Sequence, residues 1–296
     1  MTLDQLRIFV AVAEREHVTR AAEALNLTQS AVSSAVTTLE ARHGVALFDR
    51  VGRSIVLNAA GQVFLIEARA VLARAAAAQE ALNDLGDLKR GRLSIQASQT
   101  IAGWWLPSRL AAFHACHAGI QIDVTIGNTR DVARAVIEGE AEVGLVEGEL
   151  DEPVLSRTVL DHDELVLVVA AGHPQAQDGA ARPDLKAMTW VLREPGSGTR
   201  SAFEAALAAH SLSVNDLDVA MSLPGNEAVA GAVEAGAGAA VVSRNVVAAR
   251  LKAGILTTLP FDLPARPFWL LLHKQRYRSK AGDAFVSLLA SRSPMA

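Results

Sequence analysis

Residues 18–61 read VTRAAEALNLTQSAVSSAVTTLEARHGVALFDRVGRSIVLNAAG, and this stretch decides the N-terminal fold. Small residues at Ala21, Ala22 and Ala24 allow a close helix crossing, and Thr19 is placed to cap a helix from Arg20 to about Asn26. Only Leu27 and Thr28 separate it from a second helix, which Thr28 can cap, which runs to about Arg42 and which Gly44 ends. One face of that helix is Val32, Val36 and Leu39. The opposite face carries Gln29, Ser30, Ser33 and Thr37, short hydrogen-bonding side chains where a merely solvated helix carries Lys and Glu. "ALFDR" and "SIVLN" then flank a turn at Val51-Gly52-Arg53, which predicts a short hairpin, or wing, bearing Arg50 and Arg53. Working back toward the N-terminus, Leu3, Leu6, Phe9, Val10 and Ala13 recur with helical spacing and predict a helix over 3–14.

Two helices joined this tightly suit a helix-turn-helix reader, whose second helix enters the major groove of DNA by its N-terminal end. Gln29 and Ser30 lie at that end, with Ser33 and Thr37 on a compatible face. Gln pairs bidentately with adenine, Ser and Thr bond base edges or phosphate, and Arg50 and Arg53 reach phosphate or the minor groove. Bulk charge does not support this reading. The chain of 296 residues has a formal net charge of -4, and its first ninety residues hold ten basic and ten acidic side chains. DNA binding must therefore rest on where charges sit. An ordinary three-helix bundle with a polar surface is the competing reading.

A long helix is expected from about Ala59 to Leu88. Phe64, Val71, Ala78 and Leu85 fall seven apart, and Ala68, Ala75 and Leu82 each follow by four, the a/d pattern of a coiled coil. An isolated helix of this length needs a partner, so these residues are expected to pair two copies of the chain; a long helix packed on its own domain is the competing reading.

After Gly91 the pattern changes to apolar strands alternating with helices, which predicts two comparable α/β units built on parallel sheets, with a cleft between them. Ligands of such folds sit at the C-terminal strand ends. There "QASQTIAG" places Ser98, Gln99 and Thr100, and "REPGSGTR" places Ser197 and Thr199 in a glycine-rich turn before a helix. Free amides and hydroxyls of this kind form an anion site without a lysine. "IGNT" with Asn128, "VEG" with Glu147 and "LPGNEAV" with Asn226 complete the expected rim. A Glu147 carboxylate pointing into the cleft disfavours a bare anion, or bonds a ligand's hydroxyl, ammonium or protonated group; a carboxylate satisfied at the rim is the competing reading. Crossovers near Asp161–Asp163 and Ala265–Pro267 are the expected hinges.

Other classes find little support. "GSGT" lacks the G-x-G-x-x-G spacing of a dinucleotide site, and G-x-S-x-G and H-E-x-x-H motifs are absent. "FHACH" brings His114, Cys116 and His117 together, but zinc needs further ligands. With one cysteine, Cys116, no intrachain disulfide forms. The N-terminus lacks a secretory pattern and no apolar run is long enough to span a membrane, so a cytoplasmic protein without membrane partners is expected.

The stretch LDQLRIFVAVAEREHVTRAAEALNLTQSAVSSAVTTLEARHGVALFDRVGRSIVLNAAG resembles the LysR-type transcriptional regulators, and the likeness extends over the whole chain. The resemblance implies a winged helix-turn-helix at 1–58, a linker and dimerisation helix at 59–89, and an effector-binding regulatory domain at 90–296. That domain resembles periplasmic binding proteins, with lobe one at 90–161 and 267–296 and lobe two at 162–266. It places Gln29 and Ser33 in the recognition helix, Arg50 and Arg53 in the wing, and effector contacts near Thr100, Thr199 and the "GN" turn. The Pro usual after the Gln is Ser30 here, which still suits a first helical turn. The implied partners are double-stranded promoter DNA, further copies of the chain as dimer or tetramer, a small-molecule effector and RNA polymerase. The effector is expected to be an inorganic anion or small carboxylate, with no cofactor, no metal and no enzymatic activity. The series "GN…VEG…REPGSGTR" looks most like the branch linked to sulfur-oxyanion or inorganic-nutrient control, although branches controlling carbon fixation and aromatic degradation share the scaffold. A solute-binding module without DNA binding, or a metabolic α/β enzyme, is the alternative.

Overall fold

The computed structural model describes residues 1–51, 54–83, 91–148, 150–177 and 182–291. They divide into two compact units, an N-terminal helical one and a larger α/β one.

The first unit opens with α1 (Leu3–Arg15), capped by Thr2 in a reciprocal box with Gln5. Helix α2 (Val18–Leu25) follows, and its cap differs from the expected one. His17, not Thr19, accepts from the amide of Arg20, so the helix begins a residue before Thr19 and absorbs it. Helix α3 (Gln29–His43) is capped by Thr28, which accepts from Ala31 at 3.3 Å. Gly44 ends it with φ +65, the left-handed conformation that glycine adopts without a Cβ penalty. Strands β1 (Phe48–Val51) and β2 (Ser54–Leu57) form the antiparallel hairpin, in which Arg50 pairs with Ile55. Glu40 ties α3 to the hairpin by accepting from the amide of Leu47 at 2.7 Å.

Helix α4 (Ala59–Asn83) is the long helix, and its first turns belong to the same core. Ala68 is buried with Leu6, Phe9, Ala13, Leu39 and Leu47, and Phe64, Leu65 and Leu72 pack against them. The Phe64 ring lies 4.8 Å from that of Phe9. Gly61 sits where a Cβ would fall 2.2 Å from the Leu47 carbonyl oxygen. The two apolar positions that open the expected seam are thus already occupied within the chain. Val63, Ile66, Val71 and Leu82 are the large apolar side chains of α4 left in solvent. Ala75 is half-buried and Ala78 exposed, whereas Leu85 lies outside the described residues.

In the second unit, β3 (Gly91–Ser98) leads through a π-helical turn at Ile101–Trp105 into α5 (Leu106–Cys116). There follow β4 (Ile120–Gly127), α6 (Thr129–Glu138), β5 (Val143–Glu147) and β6 (Leu155–Asp163). The chain continues with β7 (Leu165–Ala170), the short α7 (Pro174–Gln177), β8 (Thr189–Arg193), α8 (Gly198–Ala209) and β9 (Asp218–Leu223). It closes with α9 (Asn226–Glu234), β10 (Ala240–Ser243), α10 (Arg244–Lys252), β11 (Leu256–Leu259), β12 (Arg266–His273) and α11 (Lys280–Ser291).

Both lobes carry mixed sheets, which corrects the expectation of parallel ones. In lobe one the order is β4-β3-β5-β12-β6. Strands β3, β4 and β5 run parallel, and β12 runs antiparallel to both β5 and β6. In lobe two, β7 pairs antiparallel with β10 and β11, β8 runs parallel to β9, and a bridge from Trp190 to Ala239 links the two sets. The chain returns between lobes at both sheets' ends, which forces antiparallel neighbours where β6 and β12 pass each other. Their register sets Arg266 opposite Asp163, where both crossovers begin. Trp105 is buried and donates to Asp161 at 2.7 Å, whereas its neighbour Trp104 is exposed.

Candidate functional site

The open face of α3 is as expected from its sequence. Gln29, Ser30, Ser33 and Thr37 are exposed, while Val32 and Leu39 are buried. The Ser30 hydroxyl lies 3.1 Å from that of Thr28, so part of its bonding capacity serves the cap. Arg50 is exposed on the hairpin, and Arg53 lies outside the described residues.

In the second unit, the polar residues from the strand ends converge between the lobes. Ser98 ends β3 and Thr100 follows it, Glu147 ends β5, Ser197 and Thr199 begin α8, and Asn226 begins α9; all six are buried. Within the set, Asn226 and Thr100 bond each other directly, whereas Ser98 Oγ and Glu147 Oε1 have no hydrogen-bond partner. The Asn226 side-chain amide donates to Thr100 Oγ1 at 2.9 Å, and its backbone amide donates to Gln99 Oε1 at 2.9 Å. These bonds run directly from lobe two to lobe one. Asn128 stands apart from this set: it caps α6 by accepting from the Asp131 amide at 3.0 Å.

The close approach of the lobes is written into Gly198. A Cβ there would fall 2.3 Å from the Glu147 carbonyl oxygen and 2.9 Å from Thr129 Oγ1. Thr129 itself donates to that carbonyl at 2.8 Å. Only glycine lets the start of α8 meet the end of β5 this closely.

Two arginines absent from the sequence-based set complete the site. Arg266, at the first position of β12, is buried, donates to Thr199 Oγ1 at 2.8 Å, and forms an ion pair with the buried Asp163. Ser243 donates to the other oxygen of Asp163 at 2.7 Å. The Arg266 Nη2 also lies 3.9 Å from Glu147 Oε1. Arg193, ending β8, clasps Glu194 through Nε and Nη2 at 2.8 and 2.9 Å and donates from Nη1 to Asn226 Oδ1. Buried charges persist only when paired and hydrogen-bonded, and here Asp163 and Glu194 supply the counter-charges. In the sequence both arginines look like polar ends of apolar strands, "TWVLRE" and "RPFWLLLHK". For Arg266 the pertinent signal was an arginine at one lobe crossing with acidic residues at the other, in "DHDE"; Arg193 carried no such signal.

His117 lies against Phe113, ring centres 4.7 Å apart, at the end of α5. No cluster of three or more metal-ligating side chains occurs among the described residues, and none of their helices is long and apolar enough to cross a membrane.

This pairing of a helix-turn-helix head with a two-lobed α/β domain defines a class of transcriptional regulator. Residues 3–62 match the bacterial regulatory helix-turn-helix family of lysR type, and residues 86–294 match the LysR substrate binding domain. The chain belongs to the LysR family, and is a DNA-binding regulator with an effector-binding domain. It is 34% identical over 288 residues to the uncharacterized HTH-type transcriptional regulator YeiE of Escherichia coli strain K12, covering 97% of this chain and 96% of that one. It is 33% identical over 290 residues to a probable RuBisCO transcriptional regulator of Trichormus variabilis, covering 96% and 86%. Among solved structures, that of CbnR, a LysR family transcriptional regulator, superposes with a TM-score of 0.71 at 22% identity, covering all of both chains.

Proposed function

We propose that this regulator alters its promoter contacts when a small anionic effector, inorganic or carboxylate, binds between the two lobes. The observation that carries the reading is the pair of buried arginines, Arg193 and Arg266, bonded to Asn226 and Thr199, two of the residues that chemistry alone marks as effector contacts. Ser98, Gln99, Thr100, Glu147 and Ser197 line the same cleft, and Asn128 supports its rim. The amides opening α8 add partial positive charge at that point.

On this reading the lobes divide at the Asp163–Arg266 pair, with 90–161 and 267–296 in lobe one and 162–266 in lobe two. That β6 and β12 pair in one sheet while β7, between their crossovers, lies in the other supports the division. DNA is read by Gln29, Ser30, Ser33 and Thr37, with Arg50 and Arg53 on the backbone or minor groove. Copies pair along the linker helix, and RNA polymerase is the downstream partner in the cytoplasm. The direct bonds across the cleft favour an effector of few heavy atoms, which supports the branch of inorganic-nutrient or sulfur-oxyanion control. A gel-shift with the DNA upstream of the protein's own gene, repeated with inorganic anions and small carboxylates chosen by thermal shift, tests the proposal. The expected result is a retarded complex whose mobility or affinity changes with at least one anion. A complex indifferent to every anion that stabilises the protein sinks the effector assignment.

A further inference from the structure

The cleft holds buried polar atoms whose bonding is incomplete in complementary ways. Glu147 is 3% exposed, yet its Oε1 has no hydrogen-bond partner, and the nearest cationic nitrogen, Arg266 Nη2, stands off at 3.9 Å. Arg266 is 2% exposed and its Nε lacks an acceptor. Ser98 is 3% exposed and its Oγ is equally unpaired. An unfilled acceptor, an unfilled cationic donor and an unfilled hydroxyl therefore belong to residues gathered at the C-terminal end of one sheet. Buried polar groups are seldom left in this state, because each costs its full desolvation.

The charges point the same way. Asp163 is matched by Arg266, and Glu194 by Arg193, whereas Glu147 has no cation of its own at bonding distance. A ligand that is acceptor on every side would satisfy Arg266 Nε and meet Glu147 with repulsion. A ligand with an anionic group beside a proton donor would satisfy both.

Resting on the anionic-effector reading above, we propose that Glu147 makes this cleft selective for anions that carry their own proton donor. The preferred class is a protonated oxyanion or a hydroxy-carboxylate, whose O–H donates to Glu147 Oε1 while its charged oxygens accept from Arg266 Nε and Ser98 Oγ. Fully deprotonated anions of the same size and shape are rejected. Discrimination of this sort is steep, because a buried acceptor left without its donor is penalised more than a lost contact.

Titration calorimetry of the full-length protein near neutral pH tests this with two matched pairs, phosphate against sulfate and glycolate against acetate. In whichever pair binds, the donor-bearing member is expected to bind at least about tenfold more tightly. In Glu147→Gln, whose amide can itself donate, the ratio should collapse toward one or reverse. Equal affinity within a binding pair, or preference for sulfate or acetate, overturns the proposal while leaving the anionic reading standing. The wild-type comparison decides this without any variant. Unchanged discrimination in a Glu147→Gln protein that still binds operator DNA also overturns it. Binding of none of the four ions overturns this proposal, and the anionic reading beneath it then stands or falls on the wider anion panel above.

Discussion

Arg266 is a side chain whose loss the effector domain absorbs badly. It neutralises Asp163 in the interior and holds Thr199 across from it. Removing one partner of a buried ion pair leaves an uncompensated charge and costs about 3–5 kcal/mol. Arg266→Ala should therefore lower the denaturant midpoint of the α/β unit markedly, and Arg266→Ala with Asp163→Ala should recover part of the loss. Thr199→Ala and Thr100→Ala are gentler, each removing one acceptor at a cost of about 1–3 kcal/mol. Both should weaken the effector's influence on operator binding while sparing binding without effector, since the reading head is a separate compact unit. Gel-shifts with and without effector measure this, and equal damage to both activities counts against the cleft. At this scale the hydroxyls and amides were legible because short polar residues beside glycine after an apolar strand have few structural uses. Arg193 and Arg266 were not, because burial is a property of the tertiary fold. A sequence shows an arginine at a strand's end without showing what closes over it.

Among the elements, the start of α11 has a pH-sensitive anchor. Glu142 accepts from the Ser279 hydroxyl at 3.0 Å, and Ser279 in turn accepts from the Gly282 amide at 2.9 Å. Burial raises the Glu142 pKa above the ordinary 4.5, against the opposing effect of the Ser279 hydrogen bonds. The folded state thus holds this proton more tightly than the unfolded chain does. Its stabilising contribution is complete below the ordinary glutamate range and is lost as pH rises through the elevated value. Glu142→Gln cannot ionise, so its melting temperature relative to wild type should climb as pH increases from about 4 to 8. A difference that stays flat with pH would refute the assignment. The helices and most strands were legible from periodicity. Strand β6, helix α10 and strand β11 were not anticipated: β6 alternates polar residues through "LSRTVLDHD", and the other two are four to nine residues long. The directions of β6 and β12 were also hidden, because strand polarity depends on how the chain returns between lobes.

Across the whole molecule, self-association should depend on the apolar side chains of α4 that remain in solvent. Leu82→Glu is expected to shift sedimentation toward monomer and to lower operator affinity in parallel. Phe64→Ala should act differently, destabilising the head itself by about 3–5 kcal/mol, since its ring packs against Phe9. A heptad pattern read alone does not separate these two roles. Apolar residues at helical spacing mark a buried face, and only the fold says whether the cover is the chain's own core or another copy.

The packing of Ala68 and Phe64 against the core beneath α1 has a mechanical outcome. The rod of 25 residues, about 37 Å long, is cemented to the head at one end, without a swivel between them. Tilting such a lever by about 5° carries its far tip through roughly 3 Å. On the proposed reading, in which Gln29 and its neighbours face DNA and two copies pair along their rods, a torque applied there turns the reading face against the double helix, and the spacing of two bound half-sites reports on the angle between the rods.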